Sequence, residues 1–374
     1  MTTQVNQERT VTSTQLRKNI LRCVDLKRPL FIWGTMGIGK SEIVTDICKE
    51  LNGLLFDVRM ATVGDVSELR GMPYFDSLTS TMKWAPPIDL PSAEESAKYK
   101  HVVLFLDELP CAPPSIQAAA YQLILNREIG TYKLPENVTI IAAGNRQNDR
   151  GVTYQMPKPL ANRFMHQTLR VDYQSWEDWA IKNRIHPSVI GFLNNNKHLL
   201  HTYDPVKDQS EAFATPRTWT YVSDILYQNY DDAVSDLDLI SGCIGDGLAI
   251  QFDTHLSLVG KLPEIDQVLS GKVQHIEDNN VSIQYSLMTS LLFEMKDRYT
   301  KGKESSIMDK WYNNMSNMIG FLINNFDREM VVVTMKMAIN RFGMSFDTTN
   351  VPNFDTSLKQ AIMKSVQASK TVGL

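Results

Sequence analysis

Short apolar runs alternate with amphipathic segments through the first half of the chain. The runs are Leu30-Phe31-Ile32-Trp33, Leu54-Leu55-Phe56-Asp57-Val58, His101 to Leu106, Val138 to Ala143 and Phe164 to Val171. Near-continuous apolar character over about four to eight residues predicts strands buried on both faces. Between them the helical period predicts a first helix, capped by Thr14 or Ser13 and ending near Asp25, with Leu16, Ile20 and Leu21 on one face. Pro29 breaks that pattern. A second helix runs from Lys40 to about Leu51 with Ile43, Val44 and Ile47 at helical spacing. A third follows Pro113-Pro114 over Ser115–Asn126, with Ser115 as a cap. Strands and helices in alternation predict an α/β fold, a parallel sheet with helices on both faces.

The stretch from Ala61 to Lys98 is irregular and holds Gly64, Gly71, Pro73, Pro86, Pro87 and Pro91. Inside it Tyr74-Phe75 and Met82-Lys83-Trp84 flank a polar segment, which predicts a β-hairpin. Ile129 to Leu134 predicts a shorter hairpin around Gly130. From about Asp172 the pattern turns helical: Trp176 to Lys182, Val189 to Asn194, Thr218 to Gln228 and Ile240 to Gln251. Beyond about Lys261 the expected helices are Ser282 to Asp297, Ser306 to Asn325 and Glu329 to Asn340. The expected organisation is a polar tail over 1–12, an αβ core over 13–171 with an insert at about 64–92, a helical region over 172–262 and a further helical region over 263–374.

Composition narrows the class. The chain has 374 residues, 43% hydrophobic and 21% charged, as an ordinary globular protein has. A formal net charge of -4 gives no strongly basic footprint, so nucleic acid is not indicated as a partner. Cys23, Cys48, Cys111 and Cys243 are widely spaced, which indicates neither a zinc site nor a disulfide framework. The polar start, Met1 to Asn6, lacks the apolar core of a signal peptide, and no apolar run is long enough to span a bilayer. The expectation is a cytoplasmic protein.

The candidate chemistry begins at Gly34-Thr35-Met36-Gly37-Ile38-Gly39-Lys40-Ser41, which fits the P-loop pattern in full. Glycines let the backbone curl so that several N–H groups point at one phosphate, and the following helix presents its positive end to the same anion. Lys40 would reach the β- and γ-phosphates, and the Ser41 hydroxyl would bind Mg²⁺. Second comes Val102-Val103-Leu104-Phe105-Leu106-Asp107-Glu108. By itself an Asp-Glu pair after a strand is a solvated loop start. Downstream of a P-loop, Asp107 becomes a metal-shell carboxylate and Glu108 the group that takes a proton from the attacking water. Asn145 ends another apolar strand, where ligands bind in open α/β sheets, though Gly144-Asn145 alone reads as a turn. Arg163 and Arg217 are candidates to neutralise charge that develops on a transferring phosphoryl group, although spacing alone favours a surface ion-pair residue at each. His198 and His201, and Trp176, Trp179 and Trp219, read as ordinary packing or surface residues. Arg70 and Lys83-Trp84 read either as a client-gripping hairpin or as a solvated one.

Together these residues resemble the AAA+ ATPases, and within them the MoxR-like group of bacterial and phage proteins. Gly34–Ser41 is similar to their Walker A, Val102–Glu108 to Walker B, Asn145 to sensor 1, Arg163 to the arginine finger and Arg217, in Thr215-Pro216-Arg217, to sensor 2. Arg146 and Arg150 are the other finger candidates. Gly64 to Pro73 is similar to the group's Asp-Leu-x-Gly-x-Pro stretch, and the Tyr74–Trp84 hairpin to its helix-2 insert. The resemblance runs from about Arg17 to Asp224. It implies a P-loop AAA+ core with a five-stranded parallel sheet in the order 5-1-4-3-2, an α-helical lid and a mostly helical C-terminal extension. It implies ATP and Mg²⁺ as ligands and a homo-oligomer, commonly a hexameric ring, with Arg163 reaching a neighbour's site. It also implies remodelling of a client protein, often beside a von Willebrand factor A domain partner. The rival readings are a nucleotide-gated ring or filament scaffold with slow hydrolysis, and the ATPase subunit of a metal chelatase. A small-molecule kinase would not need two arginine motifs beyond the P-loop.

Overall fold

All five apolar runs form strands. The structure is a computed structural model that describes residues 9–87, 89–146, 154–205, 210–228, 236–276, 281–305, 308–345 and 356–372. It divides into two compact units, Met1–Ser175 with Asp204–Asp208, and Trp176–Tyr203 with Gln209–Leu374. The strands are β1 (Thr10–Val11), β2 (Leu30–Trp33), β3 (Leu54–Arg59), β4 (Met72–Asp76), β5 (Thr81–Ala85), β6 (Val102–Asp107), β7 (Glu128–Ile129), β8 (Tyr132–Lys133), β9 (Val138–Gly144) and β10 (Met165–Leu169). The main sheet is parallel throughout, in the order β1-β10-β2-β9-β6-β3. It therefore has six strands where five were expected. The addition is Thr10–Val11, part of the expected tail, which pairs with Thr168 and Leu169 at the sheet edge.

Alternation along the strands separates two apolar layers. On one face Leu30, Ile32, Val103, Phe105, Ile141 and Ala143 pack with Leu16, Ile20 and Val24 of α1 (Ser13–Leu26) and with Val44 and Ile47 of α2 (Lys40–Glu50). On the other, Phe31, Leu104, Leu106, Ile140 and Ala142 pack with Ile116, Ala120 and Leu123 further along the chain. Truncating one of the fully buried leucine, isoleucine or phenylalanine side chains here to alanine would cost about 2–5 kcal/mol. The small elements are α3 (Ser67–Arg70), α4 (Ala93–Ser96), α5 (Pro114–Asn126) and α6 (Lys158–Ala161).

The helix starts differ from expectation. Thr12 caps α1, accepting from Gln15 N while the Gln15 side chain accepts from Thr12 N. That reciprocal pair outcompetes Ser13 and Thr14, which have no such partner three residues on. Helix α5 has Pro113 at its cap position with no side-chain cap bond, and starts on Pro114, whose missing N–H costs nothing there. β4 and β5 pair antiparallel from Met72↔Ala85 to Asp76↔Thr81, and β7 with β8 makes a second hairpin.

The second unit is helical among its described residues. Its helices are α7 (Tyr173–Lys182, which starts at the unit boundary), α8 (Pro187–Asn195), α9 (Pro216–Tyr227), α10 (Leu237–Ile244), α11 (Asp246–Val259), α12 (Ile265–Leu269), α13 (Val281–Ser305), α14 (Asp309–Asn325), α15 (Arg328–Asn340) and α16 (Thr356–Val372). The expected Ile240–Gln251 helix is two helices, α10 and α11, because Gly245 sits between them at φ 86°, a left-handed value. α12 and α16 were not expected. Trp219, Phe192 and Phe252 form an aromatic centre with ring centroids 5.2–5.8 Å apart. Among the described residues no helix is long and apolar enough to cross a membrane.

Candidate active site

The P-loop connects β2 to α2. Register pairs Trp33 with Gly144, and Gly34 N donates to Gly144 O at 3.3 Å, so the loop leaves the sheet beside the end of β9. Gly37 and Gly39 take left-handed φ values of 72° and 86°, which side chains resist. A Cβ on Gly34 would stand 2.6 Å from Ile38 Cδ1. Helix α2 begins with no side chain capping it, so its first-turn N–H groups face the loop.

Four expected residues converge here. Lys40 Nζ donates to Gly34 O at 2.7 Å, to Thr35 O at 2.9 Å and to Asn145 Oδ1 at 2.8 Å. Ser41 Oγ donates to Asp107 Oδ2 at 2.6 Å. The Asp107 position is set by β6 pairing with β3, with Arg59 opposite Asp107. Asp107 Oδ1 accepts from Glu108 N at 2.9 Å. Glu108 holds φ 55°, an uncommon value for a residue with a Cβ, and its side chain is exposed beside Asp107.

The donor set suits Mg²⁺. A hydroxyl and a carboxylate oxygen meet at one point, and this ion takes one or two protein oxygens with the rest from water and phosphate. Among the described residues no group of three or more His, Cys, Asp or Glu side chains gathers as a metal cage. Two features that the sequence reading missed also fit. Among the described residues the Thr35 hydroxyl, buried in the loop, has no hydrogen-bond partner. The Asp57 carboxyl is pushed upward, first by desolvation and then by the Asp107 carboxylate, with Arg59 opposing. A cation bound at Asp107 would relieve that repulsion. Cys111 is raised too, by burial and by the charges of Glu108 and Asp107, so it is not an activated nucleophile.

The arginines are distributed differently. Arg146, next to Asn145, is tied within the chain, its Nη2 donating to Thr168 Oγ1 at 2.9 Å. Arg163 is exposed on the turn between α6 and β10. Arg150 lies outside the described residues. Arg217 is exposed in the first turn of α9, in the other unit, behind a Thr215–Thr218 capping box. Arg163 is not among the residues that the Lys40 and Ser41 hydrogen bonds join. Trp176 and Trp219 are buried in the helical unit, and His198 is exposed.

The profile of the ATPase family associated with various cellular activities (AAA) matches residues 30–170. Residues 30–170 form an AAA ATPase domain. The match starts at the first residue of β2 and ends one residue past β10, so it spans the candidate residues from Gly34 to Arg163. Midasin from Giardia intestinalis is 22% identical over 171 residues, which cover 44% of this chain and 3% of midasin. The chain thus corresponds to a small part of that relative. Among solved structures the chain is similar to NtrX from Brucella abortus in complex with ADP, at 16% identity and a TM-score of 0.39, covering 95% of this chain and 68% of that one. It is also similar to a mutant of RuvB from Thermotoga maritima, at 12% identity and a TM-score of 0.38, covering 72% and 79%.

Proposed function

We propose that this protein is a MoxR-like AAA+ ATPase that couples ATP binding and hydrolysis at subunit interfaces to remodelling or assembly of a client protein. The observation that carries the reading is the joining of Lys40 to Asn145 and of Ser41 to Asp107 around one P-loop, with Glu108 adjacent. In this reading Lys40 exchanges its carbonyl and amide partners for phosphate oxygens, and first-turn N–H groups of α2 hold the same phosphates. Ser41 and Asp107 hold Mg²⁺, which neutralises charge on the phosphates. Glu108 takes the proton of the attacking water and Asn145 orients that water. Arg163 is offered to a neighbouring subunit, a role that its exposure supports and that the tie from Arg146 to Thr168 makes less suitable for Arg146. Arg217 senses nucleotide from a lid over 172–262, and residues 263–374 are a helical extension.

The oligomer is a homo-oligomeric ring, commonly hexameric in the group that the sequence resembles, and a von Willebrand factor A domain protein is a fitting partner. The β4–β5 hairpin supports engagement of a protein surface: Met72, Phe75, Leu78 and Met82 are 62–94% exposed. Such a cluster of large apolar side chains on one hairpin marks an interaction site. Glu108→Gln tests the chemistry. It is expected to bind ATP as the wild type does and to turn it over about 10²–10⁴-fold more slowly. Equal turnover would remove Glu108 from its role.

A further inference from the structure

We propose that His166 is a positioning residue that ties the P-loop to the Arg163 turn of the same chain, so that nucleotide occupancy in one subunit sets the reach of the arginine it offers to the next. The inference rests on the reading of Arg163 as that arginine.

The register of β2 with β10 pairs Phe31 with His166 and Trp33 with Thr168, which puts all four side chains on one face of the sheet. Trp33 Nε1 lies 2.9 Å from His166 Nδ1, and His166 Nε2 lies 2.7 Å from Ala161 O. An indole N–H can only donate and a carbonyl can only accept. Both contacts are therefore satisfied by one arrangement alone, with the proton on Nε2. The imidazole accepts from one neighbour and donates to the other, which no apolar side chain does. Trp33 is the residue immediately before Gly34, and Ala161 stands two residues before Arg163. Two hydrogen bonds through one ring join the loop that holds Lys40 to the turn that holds Arg163.

The ring is held on several sides. Its plane lies within 20° of that of Trp33 with 6.0 Å between centroids, and it lies 5.7 Å from Phe31 and 6.3 Å from Phe164. Phe31 and Phe164 meet edge-to-face at 5.4 Å. A second link runs parallel to the first. Arg146, adjacent to Asn145, donates to Thr168 on the same face of β10. The strands that deliver Lys40 and Asn145 to the phosphates are thus both bonded to the strand that follows Arg163. His166 itself is exposed, so packing of the core does not demand it. When Lys40 releases Gly34 O and Thr35 O, the backbone next to Trp33 loses its internal clamp, and the Trp33–His166–Ala161 path carries the change to the turn.

His166→Phe keeps the ring and removes both hydrogen bonds. ATP affinity is read with a fluorescent ATP analogue, and ATP turnover is measured for His166→Phe, Arg163→Ala and the double variant, each alone and mixed with Glu108→Gln subunits, which bind ATP but turn it over slowly. His166→Phe is expected to bind ATP within about twofold of wild type and to turn it over roughly tenfold more slowly. The double variant should be no slower than Arg163→Ala alone, since both changes act through one group. Mixing with Glu108→Gln should restore turnover, because those subunits bind ATP, keep Lys40 and supply an intact path to Arg163. His166→Gln, whose amide has both an acceptor and a donor, should recover part of the loss, and Trp33→Phe should reproduce it. Wild-type turnover by His166→Phe, a loss that multiplies that of Arg163→Ala, or a loss confined to ATP affinity would overturn the tie while leaving Arg163 in its role. Wild-type turnover by Arg163→Ala would sink the arginine reading and the tie with it.

Discussion

Asn145→Ala separates nucleotide binding from chemistry at this site. The amide oxygen accepts from Lys40 at 2.8 Å, beside the carbonyls of Gly34 and Thr35 at 2.7 and 2.9 Å. A hydrogen bond to a charged group is worth about 1.5–3 kcal/mol when water is excluded. Lys40 is only half-buried and water can fill the vacated place, so a net value of about 1 kcal/mol is the better figure. That bond belongs to the ligand-free state and must break when Lys40 turns to a phosphate. Its removal makes binding easier, not harder: ATP should bind the variant as tightly as wild type or up to about fivefold more tightly. The chemical step should move the other way. Loss of one positioned polar group at a developing charge costs about 10²–10³ in rate, or roughly 3–4 kcal/mol. Equilibrium titration with a fluorescent ATP analogue reads the first effect and single-turnover hydrolysis the second. Tenfold weaker binding with an unchanged single-turnover rate would make Asn145 a simple ligand and refute the reasoning.

Two predictions concern the helical unit. Buried Glu177 accepts from Tyr285 Oη at 2.5 Å and pairs with Arg341 Nη2 at 2.9 Å, and Asp178 also holds Arg341 at 2.7 Å. Arg341→Met leaves the Glu177 charge buried without its cation and should cost about 3–5 kcal/mol in chemical denaturation, while Arg341→Met with Glu177→Gln should cost clearly less; equal losses would contradict a charge-burial origin. His186 and His255 are held down to about 4 by desolvation, with a hydrogen bond to the Ser188 backbone partly opposing this at His255. Their folded-state values lie below the unfolded value, so their contribution is complete above about pH 6.5 and is lost as pH falls through 4, by up to about 3 kcal/mol per site. Thermal melts from pH 7.5 to 4.5 should show a shallower decline for His255→Gln than for wild type, and parallel curves would contradict it.

What could be read in the sequence follows the range of the interactions involved. Gly34 to Ser41 and Asp107-Glu108 are contiguous stretches whose conformation and chemistry are local, and Lys40, Ser41 and Asp107 lie together. The place of Asn145 depends on β9 lying beside β2, with Gly144 opposite Trp33, which only the order of the sheet decides. Thr12, Ser13 and Thr14 are all good caps, and the choice fell to the one with a glutamine three residues later. Thr10–Val11 offers a single buried side chain, too little periodicity to predict a strand. Across Ile240–Gln251 the apolar period continues through Gly245, so nothing but the backbone angle marks the break. Trp33 and His166 are 133 residues apart and their meeting has no local signature.

The central proposal is that Lys40, Ser41, Asp107, Glu108 and Asn145 form a site which Arg163 of a neighbouring subunit completes. Its most direct test is ATP turnover across mixing ratios of Arg163→Ala with Lys40→Ala, each far slower than wild type alone. Shared sites predict turnover that rises at intermediate ratios, where an intact Lys40 in one subunit meets an intact Arg163 from the next. Turnover that stays at the floor at every ratio, with mixed assembly verified by cross-linking, would contradict it.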